Sequence, residues 1–333
     1  MVEEQLEILD NPNFTIVVPG GCDAKCKFCF WEYTEPCTDY LEKLRVVLET
    51  LPDDFQQLSI SGGEPTLSTY LEDILELLTR DRWPKVVLTT NGSRLEDYIE
   101  LLSPVKHVNI SRHHYLENVN RSIFNSSTVP SNSEIKELCD AMNHLGIDVT
   151  LNAVITEQLT NVRQFIQFAK EINASAVSFR KQHTKDSDLS PTELEKEYSG
   201  YAIIGESLCP VCRANFQIID GMRVGWKSSI AEPSEVYSNK VYELILHPNG
   251  KLTMDWAATK EVTILPEGIF MNNANNEALQ EIKKLLLQVV NQLDKIASPE
   301  KSECKKNVPC KKKKTPTKTS VNYNSRGFCG SHC

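Results

Sequence analysis

The sequence has no apolar run long enough to cross a bilayer, and it opens without the charged-then-apolar pattern of a secretory leader. From both absences we expect a cytoplasmic protein with no membrane partner. Cysteine is too sparse for a disulfide scaffold, at 11 in 333 residues, where such scaffolds exceed about 8–10%. Nine of the 11 sit in short clusters, at 22/26/29, 209/212, 304/310 and 329/333. That clustering suits metal sites in a reducing compartment. Cys37 and Cys139 stand apart and read as small apolar residues. Positive charge is also short: outside residues 301–333 there are 27 Lys/Arg against 44 Asp/Glu, a balance of −17. An acidic body argues against broad phosphate-backbone binding. Residues 301–333 reverse the sign, with nine basic residues and one acid, Glu303, for +8. This tail reads as a solvated segment, with nucleic-acid contact or folding back on the acidic body as alternatives.

What is present centres on Gly20-Gly21-Cys22-Asp23-Ala24-Lys25-Cys26-Lys27-Phe28-Cys29, which follows the apolar run Phe14–Val18. Thiolates are the usual ligands of iron–sulfur clusters, and a four-iron cubane normally takes four. Three closely spaced cysteines can hold three irons and leave the fourth to an exogenous ligand. Three ligands of a structural zinc, or plain reduced thiols, are the alternatives. Two glycines before Cys22 allow a tight turn around a bulky group. About 30 residues on comes Ser61-Gly62-Gly63-Glu64-Pro65, which alone is an ordinary turn signal.

Residues 14–183 alternate β-branched runs with amphipathic segments six times. The strands expected are Phe14–Val18, Leu58–Ser61, Val86–Thr90, His107–Ser111, Asp148–Ile155 and Ala176–Arg180. Helices are expected over Thr38–Leu51, from a capping box Thr69…Glu72, around Arg94–Leu102, from Ser131…Glu134 to before Gly146, and from Asn161 with Gln164. Such alternation implies an α/β fold with a parallel sheet, either an open doubly wound sheet or an incomplete barrel. The strand ends would then gather the three cysteines, Gly62-Gly63-Glu64, Thr89-Thr90-Asn91-Gly92, Ser111-Arg112-His113-His114 and Arg180-Lys181-Gln182-His183 on one rim.

The cysteine spacing followed by the Gly-Gly-Glu-Pro run resembles the radical SAM superfamily over roughly residues 14–183. The resemblance selects a partial (β/α)6 TIM-type barrel with a C-terminal extension. It divides the chain into a barrel (1–183), an extension with a cysteine pair, a hairpin and an amphipathic helix (184–298), and a basic cysteine-containing tail (299–333). It implies that Cys22, Cys26 and Cys29 hold a [4Fe–4S] cluster whose open iron takes S-adenosylmethionine (SAM). Cleavage of SAM by one electron then gives a 5′-deoxyadenosyl radical that takes hydrogen from a small-molecule or peptide substrate. An electron donor such as flavodoxin or ferredoxin is implied as partner. By the same resemblance, Phe28, Gly62, Gly63, Glu64, Ser111 and Asn152 contact SAM. Arg180 is a candidate partner for a carboxylate or phosphate, or a salt-bridged rim arginine.

Within the family the barrel is similar to the molybdenum-cofactor GTP cyclase and to peptide-modifying members, with departures from both. After the fourth strand the cyclase relatives read Ser-Leu-Asp, whereas this chain reads Ser111-Arg112-His113-His114. His113 and His114 are therefore candidates for substrate contact or proton transfer, or ordinary rim residues, with at most one imidazole facing the cavity. Cys209 and Cys212 match the start of the cyclase's second cluster and are candidates for a second Fe–S cluster or zinc. Trp226, however, stands near the expected third ligand, and the cyclase's terminal Gly-Gly is replaced by Gly330-Ser331-His332-Cys333. The run Leu246–Leu252 reads as a hairpin with Asn249-Gly250 as its turn. Trp256 follows it, where peptide-modifying relatives place an auxiliary-cluster cysteine. Leu279, Ile282, Leu286, Val289, Leu293 and Ile296 form a short a/d seam. A different class of function remains open: a non-catalytic Fe–S or zinc protein that recruits a partner through its basic tail.

Overall fold

The computed structural model describes residues 5–79, 81–159, 161–182, 191–206, 214–227 and 239–272. Six strands form where expected: β1 (Glu7–Val18), β2 (Gln57–Gly62), β3 (Lys85–Thr90), β4 (His107–Ser111), β5 (Asp148–Val154) and β6 (Ala176–Arg180). They lie side by side in chain order, all parallel. Between them run α1 (Tyr40–Thr50), α2 (Leu71–Leu77), a 3-10 turn (Leu95–Leu101), α3 (Glu117–Phe124), α4 (Asn132–His144) and α5 (Val162–Glu171). After α6 (Pro191–Glu197), the chain extends the same sheet at both edges. Strands β7 (Ile203–Glu206), β8 (Ala214–Ile219) and β9 (Met222–Lys227) join through β9, which is parallel to β6. Strand β10 (Lys240–Leu246) pairs parallel with β1, and β11 (Leu252–Thr253) folds back on it. The result is a mixed α/β fold on an eleven-stranded, largely parallel sheet. A separate hairpin, β12 (Val262–Leu265) and β13 (Gly268–Met271), completes the described chain.

Parallel strands sandwiched by helices usually read as continuous apolar runs. These strands instead alternate, and the alternation locates the site. Phe14, Ile16, Leu58, Ile60, Val86, Leu88, Val108, Ile110, Val149, Leu151, Val177 and Phe179 point to one face and bury themselves with Leu44, Ile74, Leu138, Met142, Phe165 and Ile166 of the helices. The opposite face carries Asn13, Thr15, Ser59, Asn109, Ser111, Thr150, Asn152 and Ser178. Toward the amino ends of the strands this polar face satisfies itself. Asn13 and Thr15 donate to Glu243 at 3.0 and 2.7 Å, and Ser59 donates to Asn13 at 3.0 Å.

Several local expectations hold to the residue. Ser131 and Glu134 form the full capping box of α4, Gly146 ends that helix's connection at φ +68°, and Asn161 caps α5 by accepting from Gln164 N. Others change. The expected Thr69…Glu72 box does not cap α2: Tyr70 is the N-cap, and the Ser68 hydroxyl accepts from Tyr70 N while donating to the carbonyl of Pro19. Arg94–Leu102 winds as a 3-10 turn rather than an α-helix. The hairpin forms, but with a three-residue loop. His247 O accepts from Gly250 N, His247 N donates to Lys251 O, and Gly250 takes the left-handed position at φ +79°. Trp226 is a buried core residue of β9 stacked on Phe179 at 5.1 Å. Cys209, Cys212, the seam Leu279–Ile296 and the tail with Cys304, Cys310, Cys329 and Cys333 lie outside the described residues. No helix among the described residues is long and apolar enough to cross a membrane.

Candidate functional site

At the carboxyl end of β1 the chain turns through Gly20 at φ +148° into the cysteine loop. The loop is fastened from four directions. Ser68 donates to Pro19 O, Glu64 N to Gly21 O at 2.9 Å, Asn91 Nδ2 to Asp23 Oδ1 at 2.7 Å, and Lys25 N to Phe124 O at 2.8 Å. Cys22 and Cys26 are half-buried and Cys29 is exposed, with a turn closed from Cys29 N to Cys26 O. Burial first, and neighbouring negative charge second, push the Cys22 thiol up to about 11 and the Cys26 thiol up to about 12. Holding Cys22 and Cys26 as thiolates here therefore requires a cationic group in exchange for their protons. Among the described residues no three His, Cys, Asp or Glu side chains converge closely enough to hold a single ion. A cubane gives each cysteine its own iron, so its ligands need not meet at one point. The donor set fits a cluster better than a mononuclear zinc.

The Gly62-Gly63-Glu64 turn at the end of β2 lies directly against this loop. A Cβ on Gly62, whose φ is +152°, would stand 2.9 Å from Val18 O. On Gly63 it would stand 2.5 Å from Gly21 O. Only glycine permits that approach. The Glu64 carboxylate is 2% exposed and turned inward. It accepts from Thr66 N (3.0 Å), Thr66 Oγ1 (2.6 Å), Thr90 Oγ1 (2.5 Å) and Asn91 N (2.6 Å). Burial pushes its pKa up and these four donors oppose that rise. Since Asn91 also holds Asp23, the cysteine loop, the glycine turn and the β3 loop form one hydrogen-bonded unit.

The β4 end is equally built in. Arg112 is buried, donating through Nε to His114 O at 3.1 Å, through Nη1 to Pro130 O at 2.9 Å and through Nη2 to Asn132. His113 accepts Val154 N–H at Nδ1 (3.1 Å), and its ring meets Phe28 edge-on at 4.9 Å and Phe124 at 4.6 Å. Burial, with Arg112 nearby, holds His113 down to about 3, so it is neutral. His114 uses both ring nitrogens on backbone, Leu116 N and Gln158 O. The two imidazoles have separate surroundings, although both lie in the loop beyond the end of β4. Asn120 of α3 accepts from both His113 N and His114 N. Ser111 pairs in register with Asn152, and Arg180 closes β6 beside Lys227. Trp256 meets Phe30, next to Cys29, at 5.6 Å.

Sequence reasoning placed Thr90 and Asn91 on the rim and Asp23 in the cysteine loop but gave them no role in holding the motifs together, and it missed Asn120. Their signal was modest: Thr90 ends β3, Asn91 follows it and Asp23 sits inside the cysteine loop, whereas Asn120 belongs to a helix too polar to be noticed.

Residues 16–169 match the radical SAM superfamily. A Methanocaldococcus jannaschii protein carrying the name of a glycyl-radical enzyme activating enzyme is 31% identical over 170 residues, covering 48% of this chain and 63% of that protein. A GTP 3′,8-cyclase of Nautilia profundicola is 27% identical over 167 residues, covering 46% and 51%. The chain spans less than two thirds of the length of either relative. In fold it is similar to Streptococcus suis SuiB bound to S-adenosylmethionine, with a TM-score of 0.55 and 20% identity over 76% of this chain and 62% of that one. The two motifs, locked together at the ends of adjacent parallel strands, lie inside the segment, residues 16–169, that matches the radical SAM superfamily.

Proposed function

We propose that the chain is a radical SAM enzyme whose β1–β6 sheet curls as a partial (β/α)6 barrel around its polar face. The observation that carries this reading is the backbone contact between the two motifs: Glu64 N donates to Gly21 O, and Gly63 has no room for a side chain. Cys22, Cys26 and Cys29 would hold the [4Fe–4S] cluster, and the Gly62-Gly63-Glu64 turn with Phe28 and Ser111 would receive SAM. When bound, the reduced cluster would supply the one electron that splits the SAM sulfonium and so the hydrogen-abstracting radical. The protein's own part is positional. Asp23 and Glu64 fix the loop, and neutral His113 supports Phe28 without carrying charge into the site. His114 and Arg112 brace the β4 end. Arg180 faces the substrate side, where it suits an anionic group. The polar sheet face suits a small polar molecule, and the relative named for GTP cyclisation supports a nucleotide.

The test is anaerobic reconstitution with iron, sulfide, reductant and SAM. Wild type should hold about four irons per chain and form 5′-deoxyadenosine, and Cys26→Ala should form none. A chain that binds metal yet leaves SAM intact would instead be a binding protein, with its basic tail as the recruiting segment.

A further inference from the structure

Across the polar face one register row reads Ser111, Asn152, Ser178, Gly225 and Phe216, one residue from each of β4, β5, β6, β9 and β8. Three features of this row belong together. The Ser178 hydroxyl and the Asn152 Oδ1 are buried, and neither has a hydrogen-bond partner among the described residues. Ser178 itself is 2% exposed. Native structures seldom leave such groups unpaired unless something else completes them. Beside them, Phe216 is half-buried but does not belong to the hydrophobic core. Its ring leans over Gly225: a Cβ at that glycine would stand 2.9 Å from Phe216 Cε1 and 3.7 Å from Ser178 Oγ. The Arg223 guanidinium lies 4.6 Å from the ring centroid on one side. An aromatic ring is thus held in place by a cation and a missing side chain, next to an amide oxygen and a hydroxyl.

We infer that Phe216, Ser178 and Asn152 form a subsite for the nucleobase of the substrate. The ring supplies a stacking surface, which every base accepts. Asn152 Oδ1 accepts from an exocyclic amine or ring N–H, and Ser178 Oγ donates to or accepts from the neighbouring atom on the same edge. A ligand without both a flat face and a hydrogen-bond donor would leave either the ring or the Asn152 Oδ1 unused. This subsite deepens the reading of the chain as a radical SAM enzyme and rests on it. Two sources could supply the base, the substrate and the adenine of SAM, and the placement of Ser178 on β6 and Phe216 on β8, away from the cysteine loop that follows β1, favours the substrate.

The test uses the full reconstituted chain and isothermal titration calorimetry with GTP, ATP, CTP and UTP, each with SAM already saturating, and with SAM alone. At least one nucleotide should bind alongside SAM. Phe216→Ala should weaken it roughly 5- to 150-fold, the range of one lost base stack, and Phe216→Tyr should restore it to within about threefold of wild type, since a phenol ring also stacks. Ser178→Ala should weaken it about 2- to 10-fold. The SAM affinity should move far less than the nucleotide affinity in each variant. Four nucleotides that fail to bind, or a Phe216→Ala chain that binds as wild type, would overturn the subsite. So would SAM affinity falling in step with nucleotide affinity, which would assign the row to the cofactor's adenine. Wild-type 5′-deoxyadenosine formation separates the two levels. If SAM is cleaved and no nucleotide binds, only the subsite fails; if SAM is untouched, the enzymatic reading fails first.

Discussion

Replacing Gly63 by alanine puts a methyl group 2.5 Å from Gly21 O and 2.9 Å from both Gly21 C and Trp31 Cη2. The tryptophan ring can swing aside, but the backbone of the cysteine loop cannot. Ordinary contact begins at 3.4 Å, so the loop must retreat by about 0.9 Å. That displacement stretches the Glu64 N–H to Gly21 O bond, now 2.9 Å. Overpacking of this kind costs roughly 1–3 kcal/mol, and the weakened bond adds about 0.5–1.5 kcal/mol. A total of about 1.5–4.5 kcal/mol should appear as a melting temperature lowered by several degrees. The larger consequence is local, because Cys22 follows Gly21 directly and should lose its placement. Iron and acid-labile sulfide should therefore fall well below wild type after anaerobic reconstitution. Gly146→Ala is the matched control: its φ of +68° makes alanine strained, yet nothing lies within 4 Å, and iron content should stay at the wild-type level. Equal iron and sulfide in Gly63→Ala and wild type would refute the idea that the glycine turn positions the cysteine loop.

Two further outcomes follow from the β4 end. His113 is held near 3, against an ordinary value of 6.5. Above pH 6.5 it is neutral in both folded and unfolded chains. Below that value the unfolded chain takes up a proton that the folded one refuses, so stability falls as pH drops from 6.5 toward 3. The loss at pH 5 is about 2 kcal/mol. Urea midpoints measured at pH 7 and pH 5 should show it, and His113→Phe should lower the midpoint at pH 7 while flattening the difference. Arg112→Lys keeps the charge but cannot reach the three acceptors at His114 O, Pro130 O and Asn132 together. A destabilisation of about 2–4 kcal/mol is expected in the same titration, and a shift under 0.5 kcal/mol would contradict the bracing role.

The strands were legible because each apolar run is short, β-branched and followed by a turn signal, whereas their order in the sheet was left open between a doubly wound sheet and a barrel. The cap at Ser131 was legible because capping is a local exchange of hydrogen bonds. Helix α3 was not: Glu117–Phe124 buries little besides Asn120 and Phe124, so it lacks an apolar stripe, and it forms to deliver Asn120 to the two histidines and Phe124 to Lys25 and His113. The alternation of polar residues within parallel strands was written in Asn13-Phe14-Thr15-Ile16 and Thr150-Leu151-Asn152-Ala153. Its meaning needed the knowledge that helices pack on one face alone.

The motif chemistry was set by sequence alone, because three thiols within eight residues, and glycines where backbones must touch, are local facts that no distant contact can supply or remove. Tertiary structure decided the rest. It turned Glu64 inward onto Thr66, Thr90 and Asn91, and it made His113 a neutral support. It also drew β8, β9 and β10 from late in the chain onto the edges of the early sheet. Those outcomes depend on which groups are denied water and which strands find a free edge, and both are properties of the packed chain as a whole.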